Sequence, residues 1–266
     1  MAVQSAASIS RVLALSVSVL ARHFPIFFLV GTISILPPLL LRRLLGSEQI
    51  FDGSPAAVVE WLVYALLTRL LLTIGECTVI MPTAFQALRR QPVNFVNSLK
   101  AGLPRVIPVI LIELITVLLA GLAVLVTFVL ALIPALILGL ILGSMWPDGA
   151  SVLVALALVP GEILLTLWFV GAPACVIERM GPWTSLRRSV ELTKGYFWMV
   201  LGLLLLLRIG SLIAGNLFPS LGSDDRTVHI ISAWLWYAIW FPYWSIVLIA
   251  TYHDLRVTQE GVQQVA

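Results

Sequence analysis

The sequence predicts an all-α fold, that of a polytopic membrane protein with about six transmembrane helices and amphipathic surface helices on the cytoplasmic side. Of the 266 residues, 60% are hydrophobic and only 11% are charged, whereas an ordinary soluble domain has about 25% charged residues. Mean hydropathy is +1.05. A soluble chain of this length cannot bury so many apolar side chains. This excludes a soluble enzyme and a nucleic-acid-binding protein, despite the net charge of +3.

The first element is an amphipathic helix. When residues 4–22 are wound at about 100° per residue, one face carries Ile9, Val12, Leu13, Val17 and Leu20. The opposite face carries Gln4, Arg11, Ser18 and Arg22. We therefore expect residues 1–23 to form a helix that lies flat on the membrane surface. The alternative is a simple helical extension of the first span. A signal peptide is not predicted, because no early basic cluster or cleavage site is present.

Six apolar stretches follow, and a helix needs about 20 residues to cross a bilayer. We predict crossings at residues 24–41, 56–84, 106–131, 151–177, 196–217 and 229–252, with 253–266 as a cytoplasmic tail. The third stretch stays apolar to Met145 and contains Pro134, so two crossings are an alternative. Charge favours one crossing, because the basic loops on both sides of this region must share the cytoplasmic side. We therefore expect a kinked extension of the third span to residue 145.

The distribution of Lys and Arg predicts the orientation. Most of the 16 basic residues lie before the first, third and fifth spans or after the sixth. The positive-inside rule places these segments in the cytoplasm, although Arg42 and Arg43 run against the trend. We predict a multi-pass protein of the bacterial inner (cytoplasmic) membrane with both termini cytoplasmic. The basic loops are expected to contact anionic lipid.

A weak internal repeat is visible. Three times a short, partly amphipathic segment leads into a pair of apolar spans, and these leaders are residues 8–23, 92–105 and 182–195. Ser98-Leu99-Lys100 in the second leader matches Ser185-Leu186-Arg187 in the third, and each of the two opens with a proline suited to a first helical turn. The repeat predicts three units, each a surface helix plus a helical hairpin. The alternative is that any polytopic protein has polar, helix-forming loops.

Two segments carry a family resemblance. The first runs from Ala172 through the sequence APACVIERMGP and continues with SLRRS, LTKG and Phe197-Trp198. The second is Tyr252-His253-Asp254-Leu255-Arg256, followed by Glu260-Gly261. Together they resemble the membrane domain associated with glycerophosphodiester phosphodiesterases, which also occurs alone in bacterial polytopic membrane proteins. The resemblance implies no activity for this chain, because the phosphodiesterase of the fused relatives is a separate soluble barrel with a metal site. The three histidines here, at separate membrane edges, match no such site, so no catalytic residue, cofactor or metal is predicted.

The residues with the greatest chemical potential are charges within the predicted spans. A charge at mid-bilayer costs at least about 2.5–3.5 kcal/mol on insertion scales, so it usually faces a partner or water. The candidate intramembrane polar network comprises Arg69, Glu76, Glu113, Glu162 and Arg208, whereas Glu60 is expected at the outer interface. Arg69 and Glu76 share a helix face but lie roughly 10 Å apart along the axis, so direct contact requires long side chains or a mediator. Glu162 and Arg208 lie at similar depth and are candidates for pairing.

The sixth span is rich in aromatic residues. Trp236, Trp240 and Trp244 are spaced by four and form a candidate stripe that faces lipid or a partner. The alternative is ordinary interior packing together with the interfacial aromatic belt.

These features predict a non-catalytic integral membrane protein that interacts with lipid, or serves as an accessory or scaffolding component of a membrane complex. Its expected partners are membrane lipids and other membrane proteins, and not nucleic acid. The alternative is a small-molecule or lipid transporter that uses the intramembrane Glu and Arg residues. The two differ in whether the charges line a path or hold helices together. An enzyme is not predicted, because no nucleophile–base or paired-carboxylate arrangement can be located.

Overall fold

The computed structural model of the chain describes residues 7–44, 55–142, 149–220 and 226–261. These residues form helices joined by short connections, with no strand among them, and the predicted all-α fold class is confirmed. Five helical segments are long and apolar enough to cross a membrane, or six if the bent pair at the N-terminus forms one span. The helices are α1 (Ile9–Arg22), α2 (Phe24–Leu44), α3 (Pro55–Gly75), α4 (Met81–Leu88), α5 (Phe95–Gly102), α6 (Val106–Leu142), α7 (Gly149–Leu167), α8 (Gly171–Ile177), α9 (Pro182–Thr193), α10 (Phe197–Ser220) and α11 (Arg226–Glu260).

The helices repeat one order three times. A short helix precedes two long ones, with α1 before α2 and α3, α5 before α6 and α7, and α9 before α10 and α11. We call α1, α5 and α9 the leader helices. The element order is the one that the sequence repeat predicts.

The leader helices join the three units into a ring. Helix α5 packs on the helical turn that follows α3, α9 packs on α8, and α1 packs on α11. Each leader therefore contacts the second hairpin helix of the preceding unit, and the third unit closes back on the first. This closure holds α1, the first described helix, against α11, the last one.

Small residues allow the close approach of the leaders. Ser98 of α5 and Ser185 of α9 are fully buried, and they occupy the same place in the two matching sequence patterns. At Gly102 a Cβ atom would lie only 2.2 Å from the carbonyl oxygen of Cys77. Backbones separated by so little need small residues between them, as in other packed membrane helices.

Local signals fix where the leaders begin. The Ser8 side chain accepts a hydrogen bond from the Arg11 N–H at 3.4 Å, and the Asn94 side chain accepts one from Asn97 at 3.1 Å, so both act as N-caps. Pro182 occupies the first turn of α9, as predicted. Helix α5, by contrast, begins at Phe95 under its asparagine cap and not at the proline of residue 92.

Helix α1 turns by 90° into α2. This is the angle expected where a surface helix feeds a span. Its buried residues are Val12, Ser16 and Val19, which face the protein, while Val17 on the predicted apolar face remains 54% exposed. The apolar side of α1 is therefore divided between α11 and the exterior.

Several predicted boundaries differ from the observed elements. Helix α6 is unbroken from Val106 to Leu142 and contains Pro134. The alternative of two crossings separated at that proline would need a break there, and none is observed. The fourth predicted span, 151–177, is instead two helices separated by a turn at residues 168–170. The predicted tail from residue 253 continues α11 to Glu260 and is packed, with Leu255 fully buried. Residues 143–148 and 262–266, also covered by these predictions, lie outside the described residues.

Candidate functional site

The predicted span 56–84 is not a regular α-helix. Residues Glu76–Ile80 form a π-helical turn between α3 and α4, and all five are buried. π-turns interrupt α-helices in short stretches and occur frequently at functional sites. The turn begins at Glu76, a member of the predicted network, and the Glu76 side chain is only 1% exposed.

Arg69 is the centre of one group of charges. Its Nη2 atom lies 2.6 Å from Oε1 of Glu113 and 3.2 Å from Oε2 of Glu76. The Thr73 hydroxyl lies 2.6 Å from Oε2 of Glu113, which holds the second oxygen of that carboxylate. The long arginine side chain spans the axial separation from Glu76, so these two groups interact directly without a mediator. One guanidinium thus serves two carboxylates and ties α3 to α6.

Glu162 and Arg208 form the second group. Nη1 of Arg208 donates to Oε1 of Glu162, and this ion pair joins α10 to α7. The predicted pairing of these two residues is confirmed. The second oxygen of the Glu162 carboxylate is buried and has no hydrogen-bond partner within the described part of the chain.

The five residues of the predicted network, which we call the charge cluster, carry one carboxylate in excess. Two arginines, Arg69 and Arg208, face three glutamates, Glu76, Glu113 and Glu162. Both Glu76 oxygens are buried and lack a hydrogen bond of good geometry within the described residues, although Nη2 of Arg69 lies 3.2 Å from one of them. Buried polar atoms without partners are rare in folded proteins. The cluster is therefore internally paired but incompletely satisfied, and the deficit is greatest at Glu76.

Four of the five members line one cavity of about 190 Å³, the central cavity. These are Arg69, Glu76, Glu113 and Arg208, and all three repeat units contribute to the walls. The opposite lining is apolar and aromatic, with Trp168, Phe169 and Trp244 among its residues. The cavity thus presents both signs of charge and a broad apolar wall to the same space.

The arginines of the cavity are incompletely enclosed by protein. The Arg69 side chain is 41% exposed and that of Arg208 is 44% exposed, while the side chains of Glu76 and Glu113 are 1% and 13% exposed. A guanidinium that faced hydrocarbon would be costly. The space next to these two side chains must therefore hold water or polar groups.

The predicted aromatic stripe faces inward over much of its length. Trp236 stacks on Trp240 with ring centroids 4.9 Å apart, and Trp240 lies against Gly210 of α10. Trp244 lines the central cavity and makes an edge contact with Phe169. The interior-packing alternative accounts for these contacts. A role of the stripe in docking lipid or a partner stays a prediction.

The two sequence segments that carry the family resemblance meet in one interface. Glu178, after α8, accepts a hydrogen bond from the Tyr252 hydroxyl at 2.5 Å and lies 3.2 Å from Arg188. Arg188 also pairs with Glu260, whose other oxygen lies 2.7 Å from Arg256. This motif interface ties α9 to the end of α11. The charged and tyrosine residues of the motif therefore hold the helix ends together, whereas Ala172, at the start of the first segment, lines the central cavity.

Sequence reasoning missed some participants. Thr73 lies four residues after Arg69 on the same helix face, and that spacing was the available signal for its role. Trp168 and Phe169 lie in a helix break, and Gly171 and Pro173 directly after it were the available signal. The side chains of Glu60 and of the histidine at 229 lie outside the described residues. Cys77 and Cys175 are free and buried, and no group of His, Cys, Asp or Glu in the described part of the chain is arranged to hold a metal ion.

The fold and the central cavity define a helical polytopic membrane protein built from three hairpin units. Searches against protein-family models, curated proteins and solved structures found no match. The resemblance to the phosphodiesterase-associated membrane domain therefore stays a prediction that depends on the quoted motifs.

Proposed function

We propose that this chain is a non-catalytic integral membrane protein of the bacterial inner membrane, and that its central cavity binds a lipid or a lipid-like amphiphile. The single observation that carries the proposal is the shared space between the charge cluster and the aromatic wall. A purely apolar ligand would leave two guanidiniums desolvated, and a purely polar one would leave the aromatic wall wet. An amphiphile satisfies both walls at once.

The charge of the cluster narrows the class of amphiphile. Both signs line the cavity, and the cluster has one carboxylate more than it has arginines. An anionic headgroup would add to that excess, whereas a zwitterionic headgroup offers a phosphate to the arginines and an ammonium to Glu76. A zwitterionic phospholipid with a primary ammonium is therefore the best match. An accessory role in a membrane complex is compatible with such binding and requires no further site.

A cavity-filling variant tests this proposal. Ala172 lines the cavity and is half-buried, so Ala172→Phe fills the space without removing a charge. Ala155, on α7, is exposed, and Ala155→Phe is the matched control. Native mass spectrometry of purified protein should detect co-purified phosphatidylethanolamine on the wild type and on the control, and at least tenfold less on Ala172→Phe. Equal retention by all three would refute binding in the cavity.

One observation favours a transporter as the second candidate. The π-turn at Glu76–Ile80 and the turn at residues 168–170 both contribute to the cavity wall. Breaks of this kind surround substrate sites in transporters, where they allow half-helices to move. Translocation of a fluorescent lipid analogue between leaflets of reconstituted vesicles, abolished by Glu76→Gln, would favour this candidate over simple binding.

The proposed orientation has both termini on the cytoplasmic side, because most of the 16 basic residues lie in the segments before the first, third and fifth spans or after the sixth. The same charges are expected to attract anionic lipid.

A further inference from the structure

A second, smaller pocket lies between α1 and the end of α4, before the leader of the second unit. It has a volume of about 120 Å³ and is formed where α1 turns into α2 and where α4 ends. Its polar lining comprises Ser18, Arg22, His23 and Arg90, and we call it the basic pocket. The other lining residues are apolar and belong to α1 and α4. Pockets for drug-sized molecules are roughly 300–1,000 Å³, so this pocket suits a small group, and the central cavity of about 190 Å³ likewise suits part of a lipid rather than the whole molecule.

The charge of the basic pocket is uncompensated. No carboxylate lines it, and neither Arg22 nor Arg90 forms an ion pair with any described residue. The arginines of the charge cluster and of the motif interface, by contrast, are all paired. Both arginines are exposed, so water screens their repulsion in the free protein, and a bound anion would neutralise both charges. Arg is the residue that best matches the fork of oxygens on a phosphate.

The backbone at Arg90 is unusual. Its φ of 55° lies in the left-handed region, which few residues other than glycine and asparagine adopt readily. Its N–H donates to the carbonyl of Ala87 at 3.1 Å, which closes the end of α4. A glycine would satisfy this turn at lower cost. Arg179 adopts a similar φ of 58°, so the conformation is not specific to this pocket, but it places Arg90 in the pocket lining.

The position of the basic pocket identifies the source of the anion. The 90° bend between α1 and α2 lies where the first predicted span begins, and the end of a span lies near the depth of lipid phosphates. Phe24, the residue after His23, is 41% exposed and offers an apolar surface for an acyl chain. From these observations we infer that the basic pocket binds the phosphate of an anionic membrane phospholipid. This site is separate from the central cavity and shares no residue with it.

The test compares two double variants of the full chain in lipid nanodiscs. Arg22→Gln/Arg90→Asn removes both charges, and asparagine tolerates the positive φ at residue 90. Lys100→Gln/Arg187→Gln removes two exposed charges from the other leader helices and is matched in net charge. The probe is phosphatidylglycerol, with phosphatidylcholine as the neutral comparison, and bound lipid is counted by native mass spectrometry.

The inference predicts that Arg22→Gln/Arg90→Asn weakens phosphatidylglycerol binding at least about tenfold, because a hydrogen bond to a charged group is worth about that factor. The control pair should change it less than threefold, and phosphatidylcholine binding should stay unchanged in both. Equal losses in the two variants would mean bulk electrostatic attraction and would overturn the site. So would full displacement of the lipid by millimolar inorganic phosphate, which would identify a free-phosphate site.

Two further measurements keep the inference separate from other outcomes. Thermal unfolding in detergent shows whether Arg22→Gln/Arg90→Asn is folded. If that variant is unfolded, Arg22→Lys/Arg90→Lys replaces it in the test, and it should retain most of the binding because it keeps both charges. Retention of phosphatidylethanolamine in the central cavity should be the same in all these variants. Loss of the inferred phosphatidylglycerol site would therefore leave the proposed function unaffected. Refutation of lipid binding in the central cavity would likewise leave the inference about the basic pocket unaffected.

Discussion

Arg69 is the residue whose loss should damage the bundle most. Its guanidinium is the only counter-charge within ion-pair distance of both Glu76 and Glu113 among the described residues. Arg69→Met keeps the length of the side chain but leaves two carboxylates facing each other across a mostly apolar space. We expect a lower free energy of unfolding and a lower folded yield.

The magnitude follows from the burial of the partners. Removing one member of a buried ion pair typically costs about 3–5 kcal/mol. Two features act in opposite directions here, because Arg69 serves two carboxylates but its own side chain is 41% exposed. We therefore expect about 3 kcal/mol, which corresponds to a fall in Tm of roughly 6–12 °C for a chain of this size.

The assay is thermal unfolding in a mild detergent, followed for the wild type, Arg69→Met and the triple variant Arg69→Met/Glu76→Gln/Glu113→Gln. The triple variant has no lone charge, and it should recover at least half of the lost stability. With Glu76→Gln/Glu113→Gln as the fourth protein, the cycle gives the coupling energy between Arg69 and the two carboxylates. If Arg69→Met unfolds within 2 °C of the wild type, or if the triple variant is less stable than the single one, the cluster does not hold the helices together as described.

Three other perturbations test separate parts of the structure. Glu162→Gln and Arg208→Leu should each lower the free energy of unfolding by about 1–2 kcal/mol, less than Arg69→Met, because their side chains are 23% and 44% exposed. Their double variant should recover much of the loss in Tm. Additive losses would show that the pair is not coupled. Gly102→Ala should lower the Tm, since overpacking costs about 1–3 kcal/mol and its Cβ would meet backbone atoms of Cys77 and Thr78; Gly121→Ala, with nothing within 4 Å of its Cβ, should be neutral or stabilising. The third test introduces single cysteines in a background lacking Cys77 and Cys175. Cysteines at Asn97 and Thr184, which are both exposed, should be shielded from an impermeant thiol reagent in intact cells, while a cysteine at residue 151 should be labelled. Labelling at Thr184 but not at Asn97 would contradict the proposed orientation.

The topology experiment also shows how the structure changes a design that the sequence alone suggests. Ser98 and Ser185, the residues shared by the two leader patterns, are natural places for a probe, but both are fully buried against the preceding unit. Their neighbours Asn97 and Thr184 point outward. Helical periodicity predicts that one face of a leader is buried, but it does not tell which protein surface covers it.

Composition and hydropathy were enough to predict the fold class, because that prediction depends only on how much apolar surface the chain must bury or expose to lipid. Depth along a helix was enough to propose the pairing of Glu162 with Arg208. The contact of Arg69 with Glu113 was not predicted, because it depends on which helices are neighbours.

Local breaks were not predicted either. The π-turn at Glu76–Ile80 has no proline or glycine within it, and the turn at residues 168–170 contains only Trp, Phe and Val. Tertiary packing around the cavity, not local propensity, stabilises these irregular segments. The packed end of α11 was missed for a similar reason. Its polar residues resemble those of an exposed tail, and only the structure shows that Arg188 and Glu178 lie close to them.

The most direct test of the proposed function is photo-cross-linking inside the central cavity. Phosphatidylethanolamine with a diazirine on the acyl chain is incorporated into nanodiscs with the full chain, and cross-linked residues are mapped by mass spectrometry. Binding in the cavity predicts labels on Trp168, Phe169 and Trp244, and their loss in Ala172→Phe but not in Ala155→Phe. Labels confined to outward-facing residues such as Leu118 and Leu130, which are both 68% exposed, with no difference between the variants, would contradict it.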